Sequence, residues 1–211
     1  LLPLGADKAP PGAESSATAS APSLAVVVRA PDGVRETLER HLELQRFRHL
    51  PDLHANELQR LLGAADANAR ELLGTMGYFA PTITVELTET PDSPTAPRAV
   101  VVTVEPGPQT HVASAEVFFS PGNTAAAEAT NAPSPDASTR QQQRVQRNWS
   151  LTPGQPFTQS AWDAAKNDGL RQLQARRHPT ARIGTSRAEI DADKHEAQLS
   201  VTYEPGPAYR F

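Results

Sequence analysis

Apolar residues recur along this chain in two rhythms. Leu24 to Ala30 is a continuous, largely β-branched run closed by Pro31, Asp32 and Gly33, which predicts a buried strand followed by a turn. Val34, Leu38, Leu42 and Gln45 then trace one helical face that ends near Phe47, before Pro51. Leu58, Leu62, Ala65, Ala69, Leu72 and Met76 follow at alternating steps of four and three, the single stripe of an amphipathic helix. His54 or Asn56 caps its start, Asn56 being the better N-cap by residue type, and Gly77 lies where a left-handed residue commonly ends a helix. Gly74, Gly77, Tyr78 and Phe79 together read as a helix terminus with aromatic core packing. From Thr82 to Leu87 polar and apolar residues alternate, the pattern of a half-buried strand. A Pro-rich loop, Pro91 to Pro97, separates it from Val100 to Val104, which is apolar on both faces and therefore predicts a central strand.

The order strand, helix, helix, strand, strand then returns. His111 to Phe119 is strand-like. Arg140 to Trp149 and Gln159 to Arg176 predict helices, the second turning Trp162, Ala165, Gly169, Leu170 and Leu173 inward. Ala181 to Ile190 and Ala197 to Tyr203 predict a hairpin around Asp191 to Lys194. Specific residues return as well. Val102-Thr103-Val104-Glu105-Pro106-Gly107-Pro108 reappears as Val201-Thr202-Tyr203-Glu204-Pro205-Gly206-Pro207, and Pro81-Thr82 as Pro179-Thr180. A period near 98 residues suits a duplicated domain and is too long for a solenoid repeat. Proline cannot donate to a ladder and glycine permits a turn, so each copied strand must stop at its Pro-Gly. Glu105, Pro106, Gly107 and Pro108, and Glu204, Pro205, Gly206 and Pro207, are thus the expected joints between modules.

The expected fold class is α+β: two tandem β-α-α-β-β modules, each a three-stranded sheet covered by two helices. The expected divisions are a Pro/Ala/Ser-rich leader over residues 1–22, a first module over 23–108 and a second over 109–207. Within the second, a low-complexity insertion occupies 120–139. Residues 208–211 read as the start of a further, truncated module. The leader and the insertion hold too few apolar anchors to offset the entropy of ordering.

Composition narrows the function more than it identifies it. The net charge is −4. Residues 1–110 hold 9 Lys and Arg against 14 Asp and Glu, and residues 111–211 hold 11 against 10. Neither half has the basic surplus of a nucleic-acid footprint. The absence of cysteine removes disulfides, thiolate nucleophiles and Cys-based zinc sites. No apolar run reaches the roughly 18 residues of a membrane helix. His41, His49 and His54 share no helical face and read as solvated. Asp191, Asp193 and Glu196 resemble half a calcium loop, but the required glycine and terminal glutamate are missing. Arg140, Arg144 and Arg147 form a solvated helix face, whereas Arg176 and Arg177 suit a helix C-terminus through the macrodipole. No nucleophile elbow or phosphate loop is present. The expectation is no enzyme, no cofactor and no metal.

These residues carry a family resemblance. The element order, the Gly77-Tyr78-Phe79-x-Pro81-Thr82 junction and a strand ending in Pro-Gly before the next module resemble POTRA domains. The likeness is to those of the TamA family in the Omp85 superfamily, and it covers about residues 24 to 211. Two features depart from the pattern: Ala175-Arg176-Arg177 stands where the second Gly-Tyr junction would fall, and the insertion lengthens the second module. The resemblance implies a place at the periplasmic face of the bacterial outer membrane and a role in assembling or secreting outer-membrane proteins. The partners it implies are a TamB-like inner-membrane-anchored protein, unfolded outer-membrane protein clients and the chain's own carboxy-terminal β-barrel.

With the last strand central, each sheet would leave two open edges. Thr82, Ile83, Thr84, Val85 and Glu86 form the edge expected to receive an extended peptide by strand addition. Rival readings are the POTRA region of a two-partner-secretion transporter, a structural spacer, and a periplasmic enzyme with a site assembled from distant residues.

Overall fold

The computed structural model describes residues 24–50, 53–88, 98–121 and 135–208. The expected leader, Pro51, the Pro91–Pro97 loop, most of the expected insertion and residues 209–211, expected to belong to a further module, lie outside the described residues. Among the described residues, the strands form two three-stranded sheets. In the first, β3 (Arg98–Glu105) is central, parallel to β1 (Leu24–Arg29) over six pairs and antiparallel to β2 (Thr82–Thr88) over seven. Alternation along β3 sends Val100, Val102 and Val104 to one face, where they are buried with Leu58, Leu61, Ala65, Ala69 and Leu73. The other face meets solvent. Val27, which pairs with Val101 in that face, is 44% exposed, so the continuous apolar run of β1 belongs to an edge strand and not to a buried one.

Two α-helices cover the buried face: α1 (Asp32–His41) and α2 (Ala55–Thr75). The predicted first helix does not run unbroken to Phe47. Leu42 is extended (ψ 129°), and Glu43–Phe47 resumes as a 3-10 turn. Helix α2 starts one residue earlier than its expected cap. His54 occupies the N-cap position with no side-chain cap, and Asn56 falls inside the first turn. Its buried face is also rotated from the predicted stripe: Leu61 and Leu73 are buried, while Leu62, Leu72 and Met76 are only partly so. At the other end, Tyr78 N–H bonds to Leu73 O (3.0 Å) and Gly77 N–H to Gly74 O (3.1 Å) around Gly77 at φ +91°. This is the paired closure of a Schellman cap.

The second sheet repeats the order: β6 (Glu196–Glu204) is central, parallel to β4 (His111–Phe119) and antiparallel to β5 (Arg182–Asp191). Both pairings shift register, between Val112 and Ser114 and between Ile183 and Thr185. Helix α3 runs Pro135–Arg147, so residues 135–139, expected to belong to the insertion, are helical. Proline is tolerated in a first helical turn, which hides this start in a Pro/Ala/Ser composition. Helix α4 (Gln159–Gln174) is capped by the Thr158 hydroxyl, which accepts from Ala161 N–H at 3.1 Å. Gln141 Nε2 donates to the carbonyls of Gln172 and Leu173 (2.9 and 3.0 Å), joining α3 to the end of α4. Tyr203 takes the place of Val104 and reaches across the core, its hydroxyl donating to Lys166 O at 2.7 Å. The buried residues form a second cluster, distinct from the first.

The two Pro-Gly turns adopt the same conformation, with Gly107 at φ +71° and Gly206 at φ +68°. The Pro-Thr landmark, in contrast, is displaced. Thr82 pairs with Glu105, and Arg182, not Thr180, pairs with Glu204. Pro81 therefore corresponds to Ala181, and Pro179-Thr180 lies in the turn before β5. Gly107 faces Ala80 and Gly206 faces Thr180, which are equivalent positions on this corrected alignment.

Strand edges and the joint between modules

Four strand edges flank the two central strands, and they differ in how openly they present their backbone. Natural edges are blunted by bulges, charges or covering segments. Strand β4 is covered along part of its length. Val112 exchanges bonds with Gln155 and Gly154 (both 2.8 Å), and Gln146 Nε2 donates to Val117 O at 2.9 Å. Strand β5 is bulged at Gly184 and carries Arg182, Arg187, Glu189 and Asp191. Two ion pairs lie on it, Arg187 to Glu189 (2.5 Å) and Arg182 to Glu204. Strand β1 is tied at its start, where Leu24 N–H reaches Arg48 O at 3.4 Å. Strand β2 keeps an unbroken register over seven pairs and has one charged residue, Glu86. The five residues expected to receive a peptide, Thr82 to Glu86, thus lie together on the longer of the two edges whose register is unbroken throughout, and like β1 it carries a single charge.

The expected joint residues occupy the ends of the central strands. Glu105 ends β3, and Pro106, Gly107 and Pro108 begin a five-residue link to β4. Glu204 ends β6 and pairs with Arg182, while Pro205, which is buried, Gly206 and Pro207 follow. The contacts that hold one module on the other come from elsewhere. Thr110, fully buried, donates its N–H to Gly77 O in the first module and accepts from Phe157 N–H in the second, both at 2.8 Å. Gln109 Nε2 donates to Met76 O at 2.9 Å. Phe79 leaves its own module to pack on the second core, its ring centroid 6.0 Å from that of Phe157. A Cβ built at Gly77 would collide with the Phe157 carbonyl oxygen. The glycine therefore serves both its own helix end and the close approach of the neighbour. Spacing in the sequence marks the first role; the second depends on a residue far along the chain.

Beside this joint lies a cavity of about 560 Å³. The last turns of α2, Tyr78, Phe79 and Pro81 line it from one side, and Phe157, Ala188 and Ile190 from the other. Arg70 braces its wall, bonding Asp66 at 2.8 Å and the Pro81 carbonyl at 3.1 Å.

The remaining sequence candidates stay apart. His41, His49 and His54 are exposed, and among the described residues no group of three or more His, Asp or Glu side chains is placed to hold a metal ion. Asp191 is a turn former: its Oδ1 accepts from Lys194 and Asp193 N–H (3.0 and 3.2 Å), and the Lys194 N–H, then the Lys194 ammonium, hold its carboxyl below the usual range. Arg140, Arg144 and Arg147 are all exposed on α3. At Ala175 to Arg177 the second module lacks the left-handed residue of the first, yet His178 N–H still closes the helix on Leu173 O at 3.2 Å. No described helix is long and apolar enough to cross a membrane.

Residues 30–106 match the family model described as POTRA domain, TamA domain 1. The first module is a POTRA domain. Among solved structures, the chain is similar to POTRA domains 3–5 of BamA from Haemophilus influenzae, with 15% identity and a TM-score of 0.43 over 88% of this chain and 66% of that one. It is also similar to POTRA domains 1–3 of the periplasmic domain of Omp85 from Anabaena, with 16% identity and a TM-score of 0.39 over 84% and 60%. A third is the N-terminal domain of Omp85 from Thermosynechococcus elongatus, with 13% identity and a TM-score of 0.36 over 85% and 60%. The chain thus spans about two thirds or less of the length of each of these structures. No curated protein matches it.

Proposed function

We propose that this chain is a non-enzymatic, periplasm-facing segment of an outer-membrane protein assembly or secretion factor of the Omp85 superfamily. Its modules, spanning 23–108 and 109–207, engage extended segments of partners or clients by strand addition. The TamA-type match of the first module points to a TamB-like inner-membrane-anchored partner, unfolded outer-membrane protein clients and a carboxy-terminal β-barrel on the same protein. The observation that carries the binding step is the β2 edge, regular over seven pairs with one charge, in a molecule whose second sheet is bulged on both sides.

Energetics favour brief contacts. Four main-chain hydrogen bonds at ~1 kcal/mol each give ~4 kcal/mol, near the lower end of the cost of association. A single edge therefore binds weakly and with little demand on sequence. Tethering several modules at a membrane raises the effective concentration and compensates. Such binding suits a handler of many unfolded strands. A rigid spacer is the second reading, supported by the hydrogen-bonded joint at Thr110. Titrating the isotope-labelled chain with strand-forming peptides from an outer-membrane barrel tests both. Strand addition requires amide shifts along Thr82–Thr88. Shifts confined to the helices, or none, leave the spacer reading standing.

A further inference from the structure

The cavity between the modules opens where β2 begins. Pro81, one residue before the first of β2, forms part of its wall. A peptide added along β2 that continues past Thr82 therefore arrives at Phe79, Phe157 and Ile190. Those walls are mainly apolar, and about 560 Å³ is ample for an aromatic side chain. Two independent features thus fall in line: an edge that supplies main-chain hydrogen bonds without selectivity, and an apolar recess at its end. The recess also exists only while the joint is closed, because Phe79 belongs to one module and Phe157, Ala188 and Ile190 to the other.

We infer that the inter-module cavity is an anchor subsite for the same extended segment that pairs with β2, taking one bulky apolar, preferably aromatic, side chain just beyond the paired stretch. This rests on the strand-addition reading and deepens it. The edge fixes the line along which the segment lies, in either direction, and the recess selects segments that carry an aromatic residue at the right distance. Ala188 and Ile190 lie on β5, so an anchored segment touches both modules at once and favours the closed joint.

The test uses the whole chain and three synthetic peptides of alternating Thr and Val. One ends in Gly-Phe, one begins with Phe-Gly, and in the control Ala replaces Phe. With one Phe peptide, amide shifts are expected both along Thr82–Thr88 and at Gly74, Phe79 and Ile190. Its affinity should exceed that of the Ala peptide by about ten- to a hundredfold, the effect of burying an aromatic ring. Thr75, exposed on the rim, offers the complementary variant. Thr75→Trp fills the recess and should bring the Phe peptide to the affinity of the Ala peptide, with shifts along β2 retained. Equal affinity of all three peptides, with β2 shifting, overturns the anchor and spares strand addition. Shifts in the recess with β2 silent overturn the coupling of the two sites. Silence at both overturns this inference and the strand-addition reading together.

Discussion

Replacing Gly77 by alanine separates the two tasks of that residue. Alanine at φ +91° carries a left-handed strain of ~1–2 kcal/mol, and this part falls on the end of α2. The added methyl must also displace the Phe157 carbonyl, which means that the second module backs away. Two hydrogen bonds then go, Thr110 to Gly77 and Gln109 to Met76, at ~0.5–1.5 kcal/mol each. The Phe79–Phe157 ring contact adds ~0.5–1.5 kcal/mol. The expected loss is therefore ~1–2 kcal/mol within the first module and ~1.5–4.5 kcal/mol at the joint. Urea denaturation gives the first quantity, and hydrogen exchange at the Thr110 amide isolates the second. Thr110 should lose protection by about one to three orders of magnitude while amides of β3 and β6 keep most of theirs. Phe79→Ala, which leaves the helix cap and both hydrogen bonds in place, should remove only the ring contact, ~0.5–1.5 kcal/mol of the joint component. Thr110 remaining protected in Gly77→Ala would refute the joint as described, whatever happens to the urea midpoint.

Other outcomes follow from the second module and from the core. Glycine to alanine inside a helix ordinarily gains ~0.5–1 kcal/mol. Gly169→Ala should instead destabilise, because the methyl meets the Tyr203 ring, and combining it with Tyr203→Val should restore the gain; additive effects in the double variant would contradict this. His178 is buried, and burial holds its imidazole below the ordinary value against the Gly206 and Pro207 carbonyls, which favour the protonated ring. The unfolded chain takes up the proton first, near pH ~6.5, so stability should fall as pH drops from 7.5 to 5.5. His178→Gln should flatten that dependence, and urea midpoints of equal pH dependence in both proteins would show that the ring does not set it. Leu73→Ala empties a fully buried site and should cost ~2–5 kcal/mol in thermal or urea unfolding.

Periodicity and composition reached the architecture because each module is built on short-range rules. The central position of Val100 to Val104, the long amphipathic α2 and the cap at Gly77 are written in residues a few places apart. The phase of α2 was harder to read, because Leu61, Leu62, Leu72 and Leu73 are equally apolar and only the sheet decides which are buried. A leucine-valine run cannot by itself tell an edge from an interior strand, which is why β1 read as buried. The Pro-Thr landmark misled because the same two residue types stand at the start of β2 in one module and in the turn before β5 in the other, and only strand pairing tells the two places apart. The joint was the least legible part. Phe79 looks like ordinary core, and only the fold brings it to Phe157.

In each module the first and last strands are neighbours running the same way. Tension applied between the start of β1 and the end of β3 therefore loads all six pairs in shear instead of peeling them one by one. The same holds for β4 and β6. A chain built from such units transmits force along its length without opening, while β2 and β5, which lie outside the loaded pair, stay at rest.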